Sequence, residues 1–332
     1  MIIFSVVIPT YNRLGSLKRC LAGLLKQAYP HDQFEIIVIS DGSKDETVKY
    51  ATSIQTDIRL RVLDQPNSGP ASARNQGIQH AIGKYVLFLD DDVVADDQLL
   101  IEHFRTHQEF DEMSVVIGPM LTPDNFRMSP WVAWEQHMLE RQYKAMLRGD
   151  YKPTYRQFYT GNASALREHL NQINGFDKNL KRAEDVEMAF RLAKLGANFY
   201  FNPNAKVYHF AERSFQSWKQ TGYFYGWNDV IFYKEKGMDS ILPLIAEEFN
   251  TRRFIIKYFV KTFLDHKKLS DLVTRMLEGL GSLLYTLHLC KAAFATFSMI
   301  FNLQYYQGLS DNLGGKKYFP DLGNRVRFEE NS

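Results

Sequence analysis

At 332 residues and 45% hydrophobic, the chain can bury a full core and form one large domain with an appendage. A net charge of +2 supplies no overall field for nucleic acid, and none is expected as a partner. Cys20 and Cys290 lie far apart in apolar helical patterns without metal-ligand spacing, so both read as buried thiols of a reducing compartment. The N-terminal segment from Met1 to Pro9 has no basic n-region and no small-residue cleavage site. It reads as a strand, and the expected location is the cytoplasm.

Strand and helix patterns alternate from the start. Residues 3–8, 34–39, 59–63 and 85–89 are apolar runs that read as strands, while 14–26, 45–53 and 71–82 carry helical signals. That βαβαβαβ order implies a parallel, doubly wound sheet with right-handed crossovers. After Gly118-Pro119 the pattern changes. Residues 122–158 are aromatic and charged, are broken by Pro123, Pro130 and Pro153, and read as an inserted segment or lid over a pocket. Alternation resumes over residues 183–209, which closes an α/β domain spanning 1–213. Residues 214–332 read as a helical C-terminal region with a polar tail.

Four strand ends carry polar residues, as a nucleotide site at the carboxyl edge of an open sheet requires. The first ends in Pro9-Thr10-Tyr11-Asn12-Arg13 and the second in Ser40-Asp41-Gly42-Ser43. The third runs into 66–75, and the fourth ends in Asp90, Asp91 and Asp92. Three crowded carboxylates repel one another and want a cation; hard oxygen ligands there suit Mg²⁺ or Mn²⁺ shared with phosphates. Asp41 can accept from a base N–H or cap the next helix, and Gly42 permits close backbone approach. Arg74 stands one turn inside a helix, where a guanidinium reaches phosphate or forms a salt bridge. Asp96 and Asp97 read as acidic residues opening the next helix.

These motifs resemble the inverting family 2 glycosyltransferases of GT-A fold, over roughly residues 3–210. The resemblance rests on Ser5-Val-Val-Ile-Pro-Thr-Tyr-Asn-Arg13, Ile39-Ser-Asp-Gly-Ser-Lys-Asp-Glu-Thr47, Gly69-Pro-Ala-Ser-Ala-Arg-Asn75 and Phe88-Leu-Asp-Asp-Asp92. Gly161-Asn-Ala-Ser164, Gly175-Phe-Asp177, Glu184-Asp185 and Val207-Tyr-His209 extend it. By resemblance, Thr10, Tyr11 and Asp41 hold the nucleoside of a nucleotide-diphosphate sugar, UDP-linked by family habit, with Pro9, Arg13, Gly42, Arg74 and Asp91 around it. Asp90 and Asp92 are the acids of the Asp-x-Asp motif, Asp90 near the ribose and Asp92 on the metal; Asp91 is a second position for that ion. His209 is a further metal or phosphate ligand, or a structural histidine. Gly161 and Asn162 approach the donor sugar and acceptor, and Trp131 and Trp134 of the insert face the acceptor. Asp185 takes the acceptor hydroxyl's proton as general base, and Glu184 supports it. The acceptor is a glycan or a lipid-linked glycan.

Two other readings stay open: a catalytically inactive sugar-nucleotide-binding protein, and a sugar nucleotidyltransferase. The latter class carries a Gly-rich loop after the first strand, and residues 9–13 contain no glycine. A processive synthase is disfavoured, because Gln216-Ser217-Trp218-Lys219 does not match the Gln-x-x-Arg-Trp motif of that kind. In the C-terminal region, residues 252–275 hold seven Lys or Arg against Asp265 and Asp271, a local net of +5. Residues 280–303 form the most hydrophobic stretch, and His288 and Lys291 at its middle disfavour spanning a bilayer. Reversible docking on an anionic membrane surface is expected, peripheral on the inner face.

Overall fold

The computed structural model describes residues 1–180 and 182–315. They form two compact units, Met1–Arg127 with Met138–Ala211, and Met128–His137 with the chain from Glu212 onward. The apolar runs of the first unit become β1 (Phe4–Thr10), β2 (Phe34–Ser40), β3 (Arg59–Asp64) and β4 (Tyr85–Leu89). The helices between them are α1 (Leu14–Leu24), α2 (Thr47–Ser53) and α3 (Pro70–His80). Then follow β5 (Val93–Ala95), α4 (Leu99–Glu109), β6 (Ser114–Ile117), β7 (Met120–Leu121) and α5 (Pro130–Arg148). The unit closes with β8 (Asn162–Leu166), α6 (Arg167–Gln172), α7 (Glu184–Lys194), β9 (Asn198–Phe201) and β10 (Val207–His209).

The main sheet has seven strands in the order β3-β2-β1-β4-β8-β6-β9. Successive side chains leave a strand on opposite faces, so one run of residues serves two cores. Val6 and Ile8 of β1 pack with Leu17, Leu21 and Leu100 of α1 and α4, whereas Val7 packs with Ala73 and Ile78 of α3 and Met188 and Leu192 of α7. Burial on both faces explains why β2 and β4 read as continuous apolar runs.

The parallel pairing expected of the first four strands is found, and beyond them β8 runs antiparallel to both β4 and β6. An antiparallel strand begins where its neighbour ends, so Asn162 pairs with Leu89 and Gly161 arrives beside the aspartates. A second, three-stranded sheet orders β5-β10-β7, with His209 paired to Val93. That pairing carries His209 to Asp92.

The second unit holds α8 (Phe215–Glu235), α9 (Ile241–Thr251), α10 (Phe254–Phe263), α11 (Lys267–Thr286) and α12 (Cys290–Leu313). α8 and α12 touch backbone to backbone: a side chain at Gly226 would collide with the Tyr305 carbonyl, and one at Gly308 with that of Tyr223. Residues 122–158 are not one segment, because Met128–His137 groups with these helices. Trp134, 6% exposed, meets Trp218 edge-on with ring centroids 5.4 Å apart. Trp131 meets Phe215 and donates to the Arg213 carbonyl at 2.9 Å. Both rings thus pack within the helical unit, Trp134 nearly buried and Trp131 partly exposed.

The hydrophobic stretch 280–303 is broken at 287–289, where His288 adopts φ 59°. Among the described residues no helix is long and apolar enough to cross a membrane. Cys20 is buried, but Cys290 is exposed at the first position of α12, which corrects the expectation of two buried thiols. α12 extends through the start of the expected polar tail to Leu313, and residues 316–332 lie outside the described residues.

Candidate active site

Chain order reverses between β1 and β4, since β2 lies on the far side of β1. Such a switch point leaves a crevice at the carboxyl ends of the strands. Thr10 closes β1 there, Asp41 follows β2, and Asp90 to Asp92 follow β4. The three consecutive aspartates do three different things.

Asp91 is buried and turned inward. It accepts from Thr10 Oγ1 at 2.7 Å and from Arg13 Nη1 at 3.0 Å. Burial pushes its carboxyl up to about 6, partly offset by Thr10 and Arg13. With both oxygens engaged, its expected contact with nucleotide or metal is corrected: it ties β1 to the β4 end.

Asp92 shares the same guanidinium, Arg13 Nη1 lying 2.9 Å from its Oδ2. Its Oδ1 is buried without a hydrogen bond and lies 3.4 Å from His209 Nε2. Burial raises this carboxyl, but His209 and Arg13 more than offset it and hold it below the ordinary range. The Phe210 N–H donates to the Asp92 carbonyl at 2.9 Å, so β10 fixes the pair through the backbone as well.

Asp90 points the other way. Arg74 Nη2 donates to its Oδ1 at 2.8 Å, while Arg74 Nη1 donates to Glu184 Oε1 at 3.1 Å. Arg74 is buried, and its Nε has no partner. Both terminal nitrogens of the expected phosphate ligand are thus held by carboxylates. Gly161 lies against Asp90: a Cβ there would approach Asp90 Oδ2 to 3.3 Å and run into Met120. A larger residue there would require the Met120 side chain to move.

The base-side pair opens α7. Ala183, directly before it, takes φ 56°, a left-handed conformation that costs a non-glycine residue energy and clusters at functional sites. Glu184 is held by Arg74, and Asp185 Oδ1 accepts from the Val186 N–H at 2.8 Å. Burial and the adjacent Glu184 charge push the Asp185 carboxyl up to about 7. The preceding turn is locked by Asn75, whose side chain exchanges two hydrogen bonds with the Phe176 backbone at 2.7 and 2.8 Å. Asn75 was legible only as part of a motif.

Asp41 folds its own loop, accepting from the N–H groups of Ser68 and Gly69 at 2.8 and 2.9 Å and from Gln65 at 2.7 Å. Gly42 has φ 78°, and the close approach it allows is to the Asn67 backbone. Tyr11 is exposed and Pro9 half-buried at the end of β1. Asn162 does not face the crevice. It is fully buried, donates to the carbonyls of Pro119 and Ala205, and pairs with His103. His103, Ser164, His107 and Ser114 continue that chain into the core, where burial depresses the pKa of both histidines. The expected sugar contact of Asn162 is corrected to a strut between β8 and its neighbours.

Among the described residues no three His, Cys, Asp or Glu side chains gather as a complete metal cluster. Asp92 and His209 offer two donors, and an octahedral ion sharing oxygens with a diphosphate needs only one or two from protein. Asp92 Oδ1, which makes no hydrogen bond, and the imidazole 3.4 Å from it fit Mn²⁺ or Mg²⁺.

Known proteins resemble this chain in sequence and in fold. The glycosyltransferase GlyG of Streptococcus pneumoniae is 28% identical over 284 residues, 81% of this chain and 91% of that protein. The chain spans at most 16% of the length of uncharacterized glycosyltransferases of Rickettsia species that it matches at 41–42% identity. In fold it is similar to Staphylococcus aureus TarS 1–349 in complex with UDP, at TM-score 0.56, 19% identity and coverage of 94% and 92%. It is also similar to the mannosyltransferase PcManGT of Pyrobaculum calidifontis in complex with GDP-Man and Mn²⁺, at TM-score 0.60, 17% identity and coverage of 93% and 87%. The model of glycosyl transferase family 2 matches residues 5–173, just over half of the sequence, and the chain belongs to that family.

Proposed function

We propose that the chain moves one glycosyl residue from a nucleotide-diphosphate sugar to an acceptor hydroxyl, in a single displacement that inverts the anomeric centre. One observation carries this reading. Asp185, its pKa raised toward neutrality, lies in one charged cluster with Asp90 through Glu184 and Arg74, while Asp92 and His209 flank the same strand end. A base and a diphosphate site thus meet at one sheet edge.

Asp185 takes the proton of the attacking hydroxyl, and Glu184, fixed by Arg74, keeps it oriented and raises its basicity. A divalent ion held by Asp92 and His209 supplies Lewis-acid neutralisation of the leaving diphosphate when bound. Thr10 and Arg13 hold Asp91, and through it the strand end on which Asp90 and Asp92 are mounted. Tyr11 and the loop organised by Asp41 offer the nucleoside a surface at the β1 and β2 ends. Uridine is the proposed base by family habit, with guanosine as its rival, since TarS and PcManGT, both similar in fold, contain UDP and GDP-Man respectively. A glycan or lipid-linked glycan is the proposed acceptor.

The test is a thermal-shift and product-release assay on the full chain. UDP with Mn²⁺ is expected to raise the melting temperature, since ligand at 100 times its Kd adds about 2.7 kcal/mol. UDP-sugars should release UDP faster with acceptor than without. No shift with UDP or GDP would sink the reading; binding without any transfer would favour the inactive sugar-nucleotide binder.

A further inference from the structure

α11 is built inside out. A helix on the surface of a soluble protein turns its apolar stripe inward and its polar residues outward. Here Ser270, Thr274 and Gly281 are buried against the unit, with Leu277 and Leu284 only partly so. Leu269, Leu272, Met276, Leu280, Leu283 and Leu287 are between 46% and 66% exposed. Their spacing of three and four residues lines them along one outward ridge. The first five residues of α10 add Phe254, Ile255 and Tyr258, which are 66–75% exposed. Scattered exposed leucines are ordinary; a ridge of this length marks an interaction surface.

The charge around the ridge selects its partner. Lys268 and Arg275 stand one position before Leu269 and Met276, so they border the ridge on one side, and neither makes an ion pair among the described residues. Both acids of the 252–275 segment are committed. Asp271 lies 3.6 Å from Lys219, and Asp265 accepts from Gln307 and Ser310. A self-complementary protein contact would need acid within the patch to meet these cations. Anionic headgroups supply it from outside, and an apolar ridge edged by cations is the pattern of a helix lying in the membrane interface.

We propose that this face of α11 and the start of α10 docks on an anionic lipid bilayer, with the leucine ridge at the headgroup–acyl boundary and Lys268 and Arg275 among the headgroups. The apolar component is thus not the 280–303 stretch as a whole. The residues of α12 within it, Phe297, Ile300 and Leu303, are buried. The surface stands independently of the transfer chemistry.

The test is co-sedimentation of the full chain with phosphatidylglycerol–phosphatidylcholine vesicles and with phosphatidylcholine alone. Partitioning onto the anionic vesicles only, weakened by 0.5 M salt, is expected. L272Q/M276Q/L283Q should lower it at least tenfold. K268E/R275E should lower it about twentyfold or more, at roughly fivefold per cation removed. All five positions are exposed, and unchanged circular dichroism confirms the fold of each variant. A second measurement needs no substitution. Cys290, three residues after Leu287 and the exposed thiol of the pair, takes an environment-sensitive maleimide whose emission should shift to the blue on anionic vesicles. Absence of anionic-vesicle binding at low salt overturns the proposal. So does binding that ignores the triple variant, or a concentration-dependent dimer that the triple variant abolishes, which would make a second copy the occupant.

Discussion

Arg74 and Glu184, 110 positions apart, meet at 3.1 Å in a buried contact, and the same guanidinium holds Asp90 at 2.8 Å. One side chain thus joins the end of β4 to the start of α7. Its position between two acids determines how both behave when it is removed.

Arg74→Gln should cost stability and shift the pH dependence of transfer. The variant leaves Glu184 and Asp90 without their cation, and breaking a buried pair typically costs about 3–5 kcal/mol; the partial exposure of Asp90 places the expectation at the lower end. The Arg74 charge also lowers the Asp185 pKa, so its loss should move the acid limb of the rate profile to higher pH. Denaturant unfolding and a pH–rate profile check both parts. An unmoved acid limb would mean that Arg74 only braces the fold.

Asp185→Asn should lower turnover about 10²–10⁴-fold while nucleotide binding persists. Its pH signature has a definite sign. With a folded pKa raised to about 7, Asp185 must be ionised to act, so transfer should fall as pH drops below 7. For stability, a raised pKa favours the folded state at low pH, below about 4, and that contribution is lost as pH rises through 7. Asp185→Asn should therefore raise the melting temperature at pH 8 and leave it nearly unchanged at pH 4. Retained turnover in Asp185→Asn with loss in Glu184→Gln would exchange the two roles.

How much of this was legible follows from what each residue type can signal. β1, β2 and β4 could be read because burial on both faces leaves them nearly continuous apolar runs, whereas β3 is only partly buried and carries Arg59, Arg61 and Asp64. The reversal at β8 could not, since Asn162 to Leu166 has the same composition in either direction. Asp91 and Asn162 read as facing a ligand yet turn to their own chain, and of the two roles open to Asp41 the structure shows the local one. A polar side chain at a strand end serves a ligand and an orphan backbone group equally well, and spacing does not separate the two. The His103–Ser164–His107 chain joins residues about 60 positions apart, beyond any local pattern. His209 was reached through resemblance alone, because only the β5–β10 pairing puts it beside Asp92.

His209→Ala and Asp92→Ala should each weaken Mn²⁺-dependent nucleotide binding, Asp92→Ala more strongly because a carboxylate carries the charge. Neither should unfold the chain, since the backbone bond from Phe210 to Asp92 survives both changes. Isothermal titration of UDP with and without Mn²⁺ reads the effect directly. Equal UDP affinity with Mn²⁺ and with EDTA in the parent protein would remove the metal from this site and leave Arg13, already between Asp91 and Asp92, as its resident cation.

Trp134→Ala separates packing from recognition. The ring is nearly buried, stands edge-on to Trp218 and lies 4.9 Å from Phe301 centroid to centroid. Removing it deletes the centre of an aromatic cluster and leaves a cavity, for which large-to-small changes of Trp typically cost about 3–5 kcal/mol. Trp131→Ala should cost less, because that ring is only partly buried, although its bond to the Arg213 carbonyl is lost as well. The expected signature is a lowered unfolding midpoint in both variants with unchanged UDP affinity and an unchanged KM for acceptor in the folded fraction. A selective rise in acceptor KM without loss of stability would return these tryptophans to the acceptor. The packing geometry predicts the opposite order, with stability moving first.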